Sequence, residues 1–241
     1  ALQSCFPVAG CVSYRGFFAF EDAERHAGGL RAAGSDVHVA GVPAYSTLGW
    51  FDDPLLSTFI RYPEAELARL VFHELSHQLV YVRDDTPFNE SFAVAVEDAG
   101  VRRWLAATRR EAGLSGFTEG QRRKRDFIAL IDDARDRLDL LYARSIAPDA
   151  MRERKREEFA ALNQRYAQLK QRWGGFAGYD RFMETPNNAL LASMAAYTER
   201  VPAFERLLER EGGDLKRFYA RVKELAALGK DERERRLAAL K

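Results

Sequence analysis

The spacing of apolar residues predicts a mainly helical chain, with strand signals confined to its first fifty residues. Two segments, CVSYRGFFAF (11–20) and VHVAGVPAYSTLGW (37–50), are rich in β-branched and aromatic residues broken by Gly and Pro, which favours short strands. Between them, EDAERHAGGLRAAG has helical spacing and ends at Gly34. The N-terminal part is therefore predicted to be a small β-α-β-β block.

Two consecutive helices follow this block. RYPEAELARLVFHELSHQLVYV (61–82) has apolar residues at helical spacing, with Pro63 in its first turn. This helix should end in RDDTP, because the residue before Pro87 disfavours helical angles. Thr86 then predicts an N-cap, with Pro87 at the first position of a helix that ends near Gly113.

The remainder of the chain also has helical patterns. Residues 118–173 are highly charged with heptad-like apolar positions, which predicts an antiparallel helical hairpin turning near Pro148. Two further helical stretches divide near Pro202, and the charged tail DERERRLAALK is expected to fray. We predict an α+β, predominantly helical fold in three parts, with a β-containing block and two helices (1–116), the long helical hairpin (117–174) and a C-terminal helical part (175–241).

Composition narrows the possible partners. The 241 residues are 46% hydrophobic, and 37 basic against 36 acidic residues leave a formal charge of +1. No overall field favours nucleic acid or an anionic membrane, and no apolar run is long enough to span a bilayer. The chain begins ALQSC without a Met or a leader, so we expect a processed piece of a longer product. Cys5 and Cys11 fit a disulfide and a pair of free thiols equally; a disulfide would indicate an oxidising compartment.

The stretch HELSH carries the strongest chemical signal. Four residues on an α-helix advance the chain by about 400°, so His73 and His77 project from one face and can hold one metal ion. Imidazole nitrogens suit Zn²⁺, and Glu74 lies where it can take a proton from a water at the metal. The motif predicts two ligands and a general base of a site with one zinc per chain.

An open zinc site needs a third protein ligand. The other two histidines lie far upstream, so a carboxylate must serve. Glu90 is the best placed, because RDDTP reverses the chain and Glu90 lies in the first turns of the returning helix. Asp84 and Asp85, in the turn itself, are weaker alternatives. Glu97 faces the same side as Glu90 two turns later, where it either orients a ligand imidazole or is exposed to solvent.

Further residues are candidates for contact with a substrate. Tyr197 is the first candidate for stabilising an oxyanion and Tyr179 the second, and for both the alternative is a core aromatic residue. Residues 44–49 precede the metal helix and would pair with an extended peptide as an edge strand. Each remaining candidate has a helix cap as its alternative role. The residues Trp50, Phe51, Asp52 and Asp53 would line the cleft, with one Asp binding the substrate amino group, or DDP caps the next helix. Asn187 and Asn188 would bind substrate or cap the helix that carries Tyr197.

HELSH followed by NESFA resembles the gluzincin branch of the zincin metallopeptidases, in which HExxH is followed by a glutamate on the next helix. The resemblance implies a zincin-like fold, with His73, His77 and Glu90 as zinc ligands and Glu74 as general base. Only twelve residues separate His77 from Glu90, a shorter connection than is usual in that branch. The substrate pockets of that branch are therefore not transferred to this chain.

A closer resemblance covers nearly the whole chain. Five segments are similar to a family of predicted bacterial aminopeptidases: CFPVAGCVSYRGFF, AYSTLGWFDDPLLSTF, HELSHQLVYV, NESFA and NNALLASMAAYTERVPAF. This similarity implies a zinc metallopeptidase that acts on peptides, in the bacterial cell envelope or periplasm, made with an N-terminal leader. Two alternatives stay open: a catalytically inert, zinc-stabilised helical module whose hairpin binds a partner, and a zinc hydrolase of another amide or ester.

Overall fold

The computed structural model describes residues 2–6, 10–12, 14–42, 44, 47 and 51–240, and this part of the chain is predominantly helical, as predicted. No helix in it is both long and apolar enough to cross a bilayer. Its elements are β1 (Ser4–Phe6), β2 (Gly10–Val12), α1 (Phe20–Ala32), α2 (Glu64–Leu79), α3 (Thr86–Ala107), α4 (Glu111–Tyr142), α5 (Pro148–Arg172), α6 (Asp180–Met183), α7 (Asn188–Thr198), α8 (Val201–Arg210), α9 (Leu215–Ala226) and α10 (Lys230–Ala238).

The two strands form an antiparallel pair closed by a disulfide. Cys5 lies opposite Cys11 in the register, and their sulfur atoms are bonded. We call β1, β2 and this bridge the disulfide hairpin. The strands predicted further along the chain are wrong where the structure can test them, because residues 35–42 are irregular. Of the edge strand predicted over residues 44–49, all but Ala44 and Thr47 lie outside the described residues.

The chain forms two compact units. The helical-hairpin unit comprises Gly16–Ala40 and Thr118–Ala195, and the HELSH unit comprises Leu2–Arg15, Gly41–Phe117 and Ala196–Lys241. Each unit therefore combines segments that are distant in sequence. The three-part division made from the sequence stays a prediction.

The helical-hairpin unit is built on α4 and α5. Asp133 pairs with Arg165, and Asp126 accepts a hydrogen bond from the Trp173 indole, so residues along the two helices meet in reverse order. The predicted antiparallel hairpin is present, although α4 already begins at Glu111. Apolar side chains from both helices form one core: Phe127, Ile131, Ala134, Leu138, Leu141, Leu162, Tyr166 and Leu169.

The HELSH unit has a core between α3 and the three C-terminal helices. Its buried members include Phe88, Phe92, Val96, Ala203, Phe204, Leu207, Phe218, Val222 and Leu237. The prediction of a frayed tail is wrong, because α10 buries both Arg233 and Leu237. The tail has few apolar residues, but the ones it has are spaced to face the core.

Helices α2 and α3 approach closely at Gly100. A Cβ atom there would lie 2.8 Å from two ring carbons of Phe72, closer than side chains pack in folded proteins. Phe72 immediately precedes His73 in α2. The missing side chain of Gly100 therefore sets how closely the HELSH helix lies against α3.

Replacing Gly100 with Ala is expected to destabilise the protein by about 1–3 kcal/mol, because the added methyl group overpacks the contact with Phe72. Helix propensity alone would favour Ala by about 1 kcal/mol. Gly116→Ala in α4 is the matched control, since no atom lies within 4 Å of its new Cβ. Urea unfolding of both variants measures the difference, and a Gly100→Ala protein as stable as the control would contradict the close approach.

Candidate metal centre

Helix α2 places two histidines of the HELSH segment side by side. The rings of His73 and His77 have centroids 5.0 Å apart and meet edge to face. Both side chains are largely withdrawn from solvent, within a helix that packs against α3. The one-turn spacing therefore gives the convergent pair that the sequence predicts.

Glu90 of α3 returns to the two histidines. Its Oε2 lies 3.2 Å from His73 Nε2 and 3.8 Å from His77 Nε2. One ligand atom from each of the three side chains lies within 4.8 Å of the others. Ligand atoms of a tetrahedral zinc site are about 3.3 Å apart when metal–ligand bonds are about 2.0–2.1 Å long. The three side chains could therefore hold one metal ion after only small adjustments.

The short connection between α2 and α3 is shaped by side chains that bond to its backbone. Asn89 accepts the Val82 N–H at 2.7 Å and donates to the Val82 carbonyl at 2.8 Å, as a neighbouring strand would. Asp85 is the N-cap of α3, because its carboxylate accepts the Phe88 N–H at 3.2 Å. The N-cap predicted at Thr86 is thus one residue too late. Asn89, the residue before Glu90, holds the connection closed through its two bonds to Val82.

Asp85 is also the centre of a buried ion-pair network. Its Oδ2 accepts two hydrogen bonds from Arg233, at 2.9 and 2.7 Å, and its Oδ1 accepts one from Arg200 at 2.9 Å. Asp85 is 2% exposed and Arg233 4% exposed. Asp84 points elsewhere and accepts the backbone N–H of Cys11. Neither aspartate belongs to the cluster around Glu90, so the weaker ligand alternatives are not supported.

Glu97 forms a hydrogen bond with Nδ1 of His73, the ring nitrogen that does not face Glu90. Its Oε2 lies 3.0 Å from His73 Nδ1 and accepts a hydrogen bond from Arg69 at 3.1 Å. The side chain is 1% exposed, so the solvent-exposed alternative for Glu97 is wrong. A carboxylate on the far nitrogen fixes the orientation of an imidazole and leaves Nε2 to face a metal.

The two histidines differ in charge. Burial alone would lower the pKa of His73, but hydrogen bonds to Glu90 and Glu97 raise it to about 9. Burial, with the nearby charge of His73, lowers the pKa of His77 to about 4. In the metal-free protein at neutral pH, His73 is therefore protonated between two carboxylates, and His77 is neutral. A metal ion would take the place of the His73 proton that faces Glu90.

His77 fits a ligand better than a structural residue. Its Nδ1 is buried without a hydrogen-bond partner among the described residues, and its Nε2 is no closer than 3.8 Å to the Glu90 carboxylate. A buried imidazole with so few polar contacts is costly in a protein core. A metal ion on Nε2 would supply a partner for one of the two ring nitrogens.

Glu74 lies in the electrostatic environment of this cluster. Burial raises the pKa of its carboxyl group, His73 opposes that rise, and the charges of Glu90 and Asp53 add to it. A carboxylate with a raised pKa is a better proton acceptor than one free in water. The side chain predicted as general base therefore lies in the electrostatic environment of the candidate ligands, and its role as a base stays a prediction.

Three tyrosines also lie near Glu90. Burial, followed by the negative charge of Glu90, raises the pKa values of Tyr14, Tyr81 and Tyr197. Glu74 adds to the rise for Tyr14 and Tyr197. The sequence indicates Tyr197 for contact with a substrate, a role that stays a prediction, whereas Tyr14 is only part of a predicted strand. Tyr179, the second candidate, instead stacks on Phe127 with ring centroids 4.1 Å apart in the other unit.

The remaining substrate candidates divide between caps and loop contacts. Asn187 accepts the Leu190 N–H at 3.0 Å and caps α7, and Asn188 accepts a hydrogen bond from Tyr142, which supports their structural alternative. Asp53 accepts the Thr47 N–H at 2.9 Å and caps no helix, since α2 begins only at Glu64. Asp52 and Phe51 are exposed, and Trp50 lies outside the described residues.

The fold and this cluster define a predominantly helical protein with a candidate metal centre between two antiparallel helices. The chain belongs to the family described as "Putative aminopeptidase", whose model matches residues 1–237. No curated protein and no solved structure matches it. The family, together with the site, points to peptidase chemistry.

Proposed function

We propose that this protein is a zinc-dependent aminopeptidase in which His73, His77 and Glu90 hold one zinc ion per chain. The observation that carries the proposal is the convergence of these three side chains beside Glu74, in a chain of an aminopeptidase family. Two imidazoles and one carboxylate are a donor set typical of hydrolytic zinc. When bound, zinc acidifies a water molecule and polarises the peptide carbonyl.

Glu74 acts as the general base. Its carboxylate accepts a proton from the attacking water and passes that proton to the leaving amine, so it returns to its starting state. The raised pKa supports both halves of this transfer, because the group must first take up a proton and hold it briefly. Glu97 and Arg69 keep His73 in place during the reaction through the hydrogen bonds they share.

Tyr197 is proposed to stabilise the oxyanion. The pKa of its hydroxyl is raised by burial and then by Glu90, so the phenol stays protonated throughout the neutral range. A phenol that stays protonated remains a hydrogen-bond donor to the developing negative charge. It is the tyrosine of α7 that the sequence indicates for this role.

Asp53 is proposed to recognise the free amino terminus of the substrate. Its charge raises the pKa of Glu74, which puts a second carboxylate in the electrostatic environment of the base. A substrate ammonium group near Asp53 and Glu74 would reduce this accumulation of negative charge. The disulfide supports a related proposal, that the protein functions in the cell envelope, because disulfides persist in oxidising compartments.

Metal content and peptide hydrolysis together test this function. We expect one zinc per chain. Leucine p-nitroanilide should be cleaved at least about tenfold faster than its N-acetylated form, because binding of the charged amino group is expected to contribute about 1.4 kcal/mol or more. His77→Ala should lose both zinc and activity, while His26→Ala, at an exposed histidine, should retain both. A wild-type protein without zinc would refute the proposal, and equal cleavage of both substrates would exclude aminopeptidase specificity.

A further inference from the structure

The disulfide hairpin is attached to the connection that carries Glu90 back to the histidines. The Cys11 N–H donates to Asp84 Oδ1 at 2.5 Å, between residues 73 positions apart. Val12, the next residue, is buried at 3% exposure. Among the described residues, this hydrogen bond and the buried Val12 side chain attach the hairpin to the connection between α2 and α3.

Asp84 adopts a backbone conformation suited to this contact. Its φ of 65° lies in the left-handed region, which is unfavourable for most residues but tolerated by Asp, Asn and Gly. The conformation occurs in the connection between α2 and α3, six residues before Glu90. Nothing in the metal centre requires an aspartate here, because Asp84 is not part of the ligand cluster.

Tyr14 follows the anchored strand by two residues. The residue as a whole is 55% exposed, so it is not a core residue, yet the pKa of its hydroxyl is raised by partial burial and then by the charges of Glu90, Tyr81 and Glu74. Tyr197 is influenced by Tyr14 in turn. The Cys11 N–H, three residues before Tyr14, is bonded to Asp84 in the connection that leads to Glu90, so this partly exposed phenol lies within reach of a substrate bound there.

We propose that the disulfide hairpin forms one wall of the active site, that Tyr14 donates a hydrogen bond to the bound peptide, and that Asp84 is the residue that positions it. This inference rests on the proposed peptidase function. Among the described residues, the contact with Asp84, the burial of Val12 and the bridge between Cys5 and Cys11 contribute to holding the hairpin in this place.

Tyr14→Phe tests the contact with substrate. We expect kcat/KM for leucine p-nitroanilide to fall about tenfold and the affinity for leucine hydroxamate, measured calorimetrically, to fall similarly, because each loses about one hydrogen bond. Zinc content should not change. Tyr62→Phe, at another partly exposed tyrosine of the same unit, is the control and should match the wild type. Unchanged turnover and unchanged hydroxamate affinity in Tyr14→Phe would overturn the assignment.

Three variants of Asp84 test the positioning role. Asp84→Asn keeps an oxygen acceptor and tolerates the backbone angle, so it should behave as the wild type. Asp84→Gly keeps the angle but removes the acceptor, and Asp84→Ala loses both. Both are expected to reduce kcat/KM about as much as Tyr14→Phe, and to accelerate hydrogen exchange at the Cys11 amide.

The exchange measurement separates this inference from the proposed function. Faster exchange at Cys11 in Asp84→Gly, but not in Asp84→Asn, supports docking by Asp84 even if no peptide is hydrolysed. Equal exchange in Asp84→Gly and the wild type would overturn the positioning role. Absence of zinc from the wild-type protein would instead refute the peptidase proposal and leave the exchange result valid.

Discussion

Glu74→Gln is expected to abolish most peptide hydrolysis while zinc stays bound. The amide has nearly the shape of the carboxylate but cannot accept a proton, so the attacking water loses its general base. General acid–base catalysis contributes about 10²- to 10⁴-fold, and kcat should fall by an amount in that range. The metal ligands His73, His77 and Glu90 are unchanged, so zinc content should remain at the wild-type level.

The test compares kcat and zinc content for Glu74→Gln and for Glu119→Gln, which removes a carboxylate that pairs with Arg122 and Arg123 of the same helix, α4. The control should keep full activity and full zinc content. If Glu74→Gln kept wild-type activity, another residue would be the base. If it lost its zinc, the role of Glu74 would be structural or direct ligation.

Asp85→Ala is expected to destabilise the protein by about 3–5 kcal/mol, because it leaves the guanidinium of Arg233 buried without its partner. The same substitution removes the cap of α3. Urea unfolding should show the loss as a lower midpoint. Zinc affinity should fall in the same variant, because the connection that returns Glu90 to the histidines is no longer held.

A double substitution separates the charge from the packing. Asp85→Ala with Arg233→Met removes both buried charges, and it should recover part of the stability that Asp85→Ala loses. Glu232→Ala, which breaks exposed pairs on α10, is the control and should change stability by no more than about 1 kcal/mol. A loss for Asp85→Ala as small as that of the control would contradict the structural importance of the network.

The arrangement around the metal centre was largely predictable because its determinants are local. The spacing of His73 and His77 requires only that α2 be helical, and Pro87 identifies the break after it. Glu90 follows on the next helix, at a distance that one tight connection can close. The sequence does not decide whether Glu97 is buried, because helical periodicity predicts which face of α3 carries the side chain but not how deeply that face is covered by neighbouring elements.

The features that the sequence did not reveal depend on distant contacts. Arg233 and Asp85 are 148 positions apart, and a charged tail ordinarily indicates a solvated helix. The hydrogen bond from the Cys11 N–H to Asp84 joins residues 73 positions apart, and no local pattern in the sequence indicates it. The strand predicted at residues 37–42 is wrong because a strand must pair with another strand, and a segment's β-branched composition does not show whether such a partner exists.

The pairing of Arg233 with Asp85 links the metal centre to the order in which the chain is synthesised. The ribosome completes α2 and α3 long before it reaches α10, because 148 positions separate the two partners. Until α10 emerges and folds back, Asp85 lacks the two hydrogen bonds that Arg233 donates to its Oδ2. The residues of the candidate metal centre are thus translated early, but the ion pair that supports the connection to Glu90 forms only when the last of the described helices has folded.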